Sequence, residues 1–106
     1  MRLETRNIVT AFMLRTPKKE ARTHTDGNAI YLHGNKIAWR NADGSVSMTL
    51  ANWGTPTTRE RLNGLCERLM NERPWHQKDH TQYFNEREVE GSTIITVHPL
   101  PSVGWQ

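Results

Sequence analysis

The sequence predicts a small α+β domain in which an antiparallel sheet, a three-stranded meander plus a C-terminal hairpin, packs against one main amphipathic helix. Three observations predict it. Apolar and polar residues alternate between Asn28 and Ala51, with turn residues at regular intervals; Leu62, Leu65, Cys66, Leu69 and Met70 recur at helical spacing; and Thr93-Ile94-Ile95-Thr96-Val97 is a second β-prone run. The 106 residues, 35% of them hydrophobic, suit one domain over residues 1–106 with a small core.

In chain order, Ile8, Val9, Phe12 and Met13 share one face of a short N-terminal helix, with Thr5 a candidate cap and a strand the alternative. Thr16 to Arg22 is polar, charged and without apolar periodicity, so an exposed loop is expected. Ile30 and Leu32 then point one way, His33-Gly34-Asn35 turns the chain, and Ile37 and Trp39 resume one face, which places Trp39 in the core. Asn41-Ala42-Asp43-Gly44 is a second turn. Val46, Met48 and Leu50 alternate with Ser45, Ser47 and Thr49, so one side of the sheet is expected to meet solvent and the other to need cover. The main helix supplies that cover. It starts near residue 56, either from a Thr57–Glu60 capping box or from Thr55 with Pro56 at the first helical position, and it ends before Pro74. Tyr83-Phe84 and Thr93 to Val97, separated by polar residues, fit a closing hairpin, and Pro99 and Pro101 end regular structure.

The segments Thr25-Asp26-Gly27, Tyr31-Leu32-His33-Gly34-Asn35-Lys36-Ile37-Ala38 and Trp53-Gly54-Thr55-Pro56-Thr57-Thr58-Arg59-Glu60-Arg61-Leu62-Asn63 occur in this order, followed by Tyr83-Phe84-Asn85. The set resembles a group of small proteins encoded by tailed bacteriophages, over about residues 22 to 65. The resemblance implies a phage gene product acting in the cytoplasm of a bacterial host. It brings no reaction and no functional residues with it.

Charge is unevenly placed. Residues 1–40 carry eight Lys or Arg (Arg2, Arg6, Arg15, Lys18, Lys19, Arg22, Lys36, Arg40) against three acids, a net +5, whereas the remainder carries six against eight. An anionic partner, where there is one, is therefore expected to meet the first third. No run approaches the ~20 apolar residues of a membrane span, and the N-terminus lacks a signal-peptide pattern, so no membrane partner is expected. The lone cysteine, Cys66, cannot form an internal disulfide or a cysteine zinc site, which fits a reducing cytosol.

Two constellations invite a chemical reading. His76 and His80 have the i, i+4 spacing of metal ligands on a helix, with Asp79 or a distant His24, His33 or His98 to complete a set. Pro74 has already ended the helix, however, so Trp75 to His80 reads as a solvated loop and no metal or other cofactor is expected. Cys66 lies on the apolar stripe, where a thiol packs as a small hydrophobe and stays protonated. The second constellation, Thr55, Thr57, Thr58, Arg59 and Arg61, combines hydroxyls and free N–H groups at a helix start with guanidinium groups, a setting for an anion as well as for ordinary capping. Trp53 and Trp75, beside turns at the two ends of the helix, are candidates for partial exposure at an interface.

With no phosphate loop, nucleophile elbow or paired carboxylates, the expectation is a non-enzymatic accessory protein that binds a host or phage protein during infection. Its candidate contact residues are Arg15, Lys18, Lys19, Arg22, Arg40, Trp53, Arg59, Arg61 and Trp75. The alternative is nucleic-acid binding through the basic first third, Lys36 included. A metal-dependent hydrolase ranks third.

Overall fold

A computed structural model describes residues 1–99; Pro101 lies outside them. Two helices and nine strands run in the order α1 (Leu3–Met13), β1 (Lys18–Glu20), β2 (Thr23–Thr25), β3 (Ala29–Leu32), β4 (Asn35–Arg40), β5 (Val46–Met48), α2 (Pro56–Met70), β6 (Trp75–Lys78), β7 (Thr81–Phe84), β8 (Arg87–Val89) and β9 (Ile95–Val97). They build two antiparallel sheets, one ordered β1-β2-β3-β4-β5-β9 and one ordered β6-β7-β8.

The expected meander is β3–β5, and the expected N-terminal helix is α1. Thr5 does not cap α1. It is buried inside the helix, whose N-cap position is held by Arg2 without a side-chain bond. At the other end Arg15 adopts φ 59° while its N–H reaches Phe12 O and the Thr16 N–H reaches Ala11 O, so two carbonyls of the last turn are satisfied as the chain reverses.

The segment read as a loop, Thr16 to Arg22, contains β1. Alternation is absent there because β1 is an edge strand beside α1: Lys18 and Lys19 are exposed, and Glu20 accepts a 2.7 Å bond from Asn7 of α1. Lysine on an edge keeps further strands from adding.

The main helix starts at Pro56 from a Thr55 cap, whose hydroxyl accepts the Thr58 N–H at 3.2 Å. The Thr57–Glu60 capping box does not form, because Glu60 is drawn to α1. Asn71 in the left-handed conformation ends the helix before Pro74. Leu62, Leu65, Cys66 and Leu69 join Ile8, Val9 and Phe12 of α1 and Ile30, Leu32, Ile37, Val46 and Met48 of the sheet in one core. Burial pushes the Cys66 thiol up to about 12.

The solvated loop and the closing hairpin are both corrected. Trp75 to His80 is strand β6 and its turn, Asp79 and His80 adopting positive φ of 50° and 66° as a tight hairpin requires. Tyr83-Phe84 lies in β7 and pairs with β6 and β8, whereas Ile95–Val97 crosses to the larger sheet and pairs with β5, Met48 opposite Ile95 and Val46 opposite Val97. Nor does the serine face of β5 meet solvent. Ser45, Ser47 and Thr49 are buried, and Asn41 donates to Ser45 and Ser47 while Ser47 bonds Thr96 at 2.9 Å.

The smaller sheet is anchored on α2. Asn63 holds the start of β6 as a neighbouring strand would, donating to Trp75 O at 2.8 Å and accepting from Trp75 N at 2.7 Å. Trp75 then lies edge-on to Phe84 and donates its indole N–H to Met48 Sδ at 3.3 Å.

Candidate ligand-binding surface

Strand β4 carries an extra residue. Ile30 pairs with Ala38 and Tyr31 with Lys36, so Ile37 has no partner of its own and the strand bulges. Ile37 and Ala38 are both buried as a result, and from there the alternation runs in the opposite phase. Trp39, expected in the core, is delivered instead to the outer face of the sheet, away from the helices. Arg40 turns inward.

Directly paired residues share a face of a sheet, so the register defines two outer rows. One runs Lys19, His24, Tyr31, Lys36 across β1 to β4; the other runs Ala29, Trp39, Ser47, Thr96 across β3, β4, β5 and β9. Lys19 and Lys36 are exposed, and His24, Tyr31 and Trp39 are half-buried. The His24 and Tyr31 rings stack in parallel with centroids 4.7 Å apart, and Lys36 Nζ lies 5.7 Å from the centre of the Trp39 ring, joining the two rows. Pro17, Lys18, Lys19, His24 and Thr25 line an open depression at the β1 edge. Two acids lie nearby, Glu20, 4.0 Å from Lys18 Nζ, and Asp26. Backbone N–H bonds from Asn28 and Ala29 hold the Asp26 carboxyl below the usual range and tie it into the β2–β3 turn.

The nine candidate contact residues divide into two groups. Arg15, Lys18, Lys19 and Arg22 are exposed around β1, and Trp53 is 53% exposed before α2. The other four are engaged inside the fold. Arg40 stacks over the Phe12 ring at 4.2 Å and donates to Phe12 O at 2.8 Å and Gly27 O at 2.7 Å, supplying the positive charge that the last turn of α1 lacks. Arg59 ties the start of α2 to the smaller sheet, its Nη1 lying within 3.1 Å of Gly54 O and the side-chain oxygens of Gln77 and Gln82. Arg61 is 7% exposed and donates to Thr5, Thr23 and Glu60, and Trp75 is 2% exposed. Neither Arg61 nor Trp75 offers a surface to a partner, because each completes a contact between elements far apart in sequence.

Three members of the outer face, His24, Tyr31 and Trp39, are absent from the nine candidate contact residues, Trp39 because its face with Ile37 reads as core. The β2 strand is too short to show alternation, and the small Ala38 beside Ile37 is the single local sign of the bulge. His76 and His80 also have a place. His76 stacks on Tyr83 at 5.2 Å across the β6–β7 pair and bonds Asn85 O, while His80 forms the hairpin turn. Among the described residues no three His, Cys, Asp or Glu gather as a metal site would need, and no helix is long and apolar enough to cross a membrane.

Fold and surface together define a small α+β domain with one cationic, aromatic sheet face beside a basic edge strand. The chain belongs to the Kyanoviridae Gp96 protein family, whose model matches residues 1–98, and it is a small phage-encoded protein, as the resemblance across residues 22 to 65 implies. No curated protein and no solved structure matches it.

Proposed function

We propose that this protein is a non-enzymatic accessory factor of phage infection, of the host-takeover or anti-defence type, that works by binding an anionic macromolecule. The observation that carries the reading is the convergence of Lys18, Lys19, Arg22 and Lys36 on one edge and outer face of the larger sheet, with Arg15 at the turn after α1. Cations gathered on one side raise the local concentration of a negatively charged partner and speed its capture, and salt screens both effects. The test is retention on an immobilised polyanion such as heparin. The wild-type chain is expected to elute well above low salt, and a folded Lys18→Glu, Lys19→Glu, Lys36→Glu variant close to it. Flow-through of the wild type at low salt would overturn the reading.

A protein partner reached by apolar contact keeps one specific observation in its favour, the exposed Trp53 indole. On that reading Trp53→Ala abolishes partner capture and the charge-reversed variant does not.

A further inference from the structure

We propose that the outer face of the larger sheet is a platform for single-stranded nucleic acid, with bases stacking on Tyr31 and Trp39 and phosphates met by Lys19, Lys36 and Arg22. The proposal rests on the anion-binding reading and assigns its partner and its geometry.

The first argument is the placement of Trp39. In an unbulged strand its indole would lie on the same side as Ile37, inside the core. The extra residue in β4 puts it on the solvent side instead, so the fold leaves a large aromatic surface incompletely covered. Trp39 is not alone there. The paired row beside it holds the His24–Tyr31 stack, and the two rows lie two residues apart in β3, about 7 Å along that strand, and three apart in the bulged β4. Flat rings on neighbouring strands of a sheet suit unstacked bases, because every base has a face to stack, whatever its sequence.

The second argument is the interleaving of charge with those rings. Lys19 and Lys36 terminate the first row at its two ends, and Arg22 sits in the turn between β1 and β2. The Lys36 ammonium lies near the Trp39 ring, and its flexible stem lets it move to a phosphate when a base takes the ring face. The acids near this face are directed elsewhere: Glu20 pairs with Thr23 in the opposite phase of the register and bonds Asn7, and Asp26 is bound to its own turn. Beyond Trp39 the second row passes the buried Ser47 and ends at the exposed Thr96, whose hydroxyl bonds Ser47.

The third argument separates single strands from the other anionic polymers. Duplex bases are stacked on one another, so exposed rings on a sheet gain nothing from them, and a duplex would be held by the lysines alone. An acidic protein surface likewise uses the lysines and leaves the rings idle.

The test is fluorescence anisotropy of a labelled oligothymidylate of about 12 nucleotides with the full chain, a length within the range of one sheet-based site. Its duplex, heparin and polyglutamate serve as competitors. The expected result is preference for the single strand over the duplex, with Trp39→Ala and Tyr31→Ala each weakening binding about 5- to 100-fold and Trp39→Phe largely restoring it. Salt slopes should stay unchanged in the aromatic variants and fall by about 0.7 in Lys36→Gln. Circular dichroism melting confirms that each variant is folded. Equal affinity for duplex and single strand, with Trp39→Ala behaving as wild type, would overturn the platform and leave the anion-binding reading standing. Stronger competition by polyglutamate than by unlabelled single strand would do the same, in favour of an acidic protein partner. Absence of binding to all four polyanions at low salt would remove both.

Discussion

Glu60 and Arg61 adjoin in the sequence and read there as charges at a helix start, but in the fold they lock three elements together. Arg61 donates at 2.7 Å to Glu60 and to Thr5 of α1 and at 3.0 Å to Thr23 of β2, and the Thr5 hydroxyl donates to the same carboxylate. Removing one partner of such a buried pair leaves the other charge desolvated, so Arg61→Ala is expected to destabilise the fold by about 3 to 5 kcal/mol, and Arg59→Ala, half-buried with only neutral oxygens as partners, by less. Chemical denaturation of the two variants measures the difference. The same network sets a pH dependence. Burial raises the Glu60 pKa, but bonds from the Thr5 hydroxyl, the Arg2 N–H and the Arg61 guanidinium outweigh it and hold the carboxyl below its ordinary value. A depressed folded-state pKa means that the stabilisation is complete above the unfolded-state value and is lost as pH falls through the folded-state one. Stability should therefore drop more steeply with acid in the wild type than in Glu60→Gln, as read from melting temperatures between pH 7 and about pH 3.

At the scale of elements, the two helices meet at a point that their sequences do not mark. Gly64 is buried in the middle of α2, where glycine ordinarily weakens a helix by about 1 kcal/mol relative to alanine. A Cβ at this position would stand 2.3 Å from the Thr5 Cγ2 methyl, so its absence is what allows α1 to cross so closely. Gly64→Ala should accordingly lower the melting temperature despite its better helix propensity. Adding Thr5→Ser, which keeps the hydroxyl in the network and removes the methyl, should recover most of the loss. A stabilised Gly64→Ala single variant would show that the helices are free to move apart.

For the molecule as a whole, the consequential feature is that the chain returns to its larger sheet at the end. After the β6–β8 sheet, β9 pairs with β5 and contributes Ile95 and Val97 to the core. The Gly91 carbonyl just before it accepts the Asn52 N–H at 2.9 Å, fixing the turn that leads into α2. Cooperative folding should therefore require the last segment. A chain ending at Glu90 is expected to lose its sharp thermal transition in near-ultraviolet circular dichroism, and retention of a full-length-like transition would show β9 to be dispensable.

What the sequence determined by itself is whatever is written in local periodicity and turn chemistry. The five-position stripe of α2, its start at Pro56, the β3–β5 meander with its turns at His33-Gly34 and Asp43-Gly44, and the buried cysteine all follow from near neighbours along the chain. The resemblance to phage proteins rested on the same contiguous segments, and the family holds. Only the tertiary structure decided which faces Ala38, Trp39 and Arg40 present, because a single extra residue in β4 inverts a period-two pattern that the sequence shows as unbroken. It likewise decided that β9 joins β5 rather than the Tyr83-Phe84 strand, β7, since a three-residue strand carries too few side chains to name a distant partner. The candidate site shows the same division: lysines on an edge were legible as charge, whereas the aromatic face between them exists only where β2, β3 and β4 are brought into register.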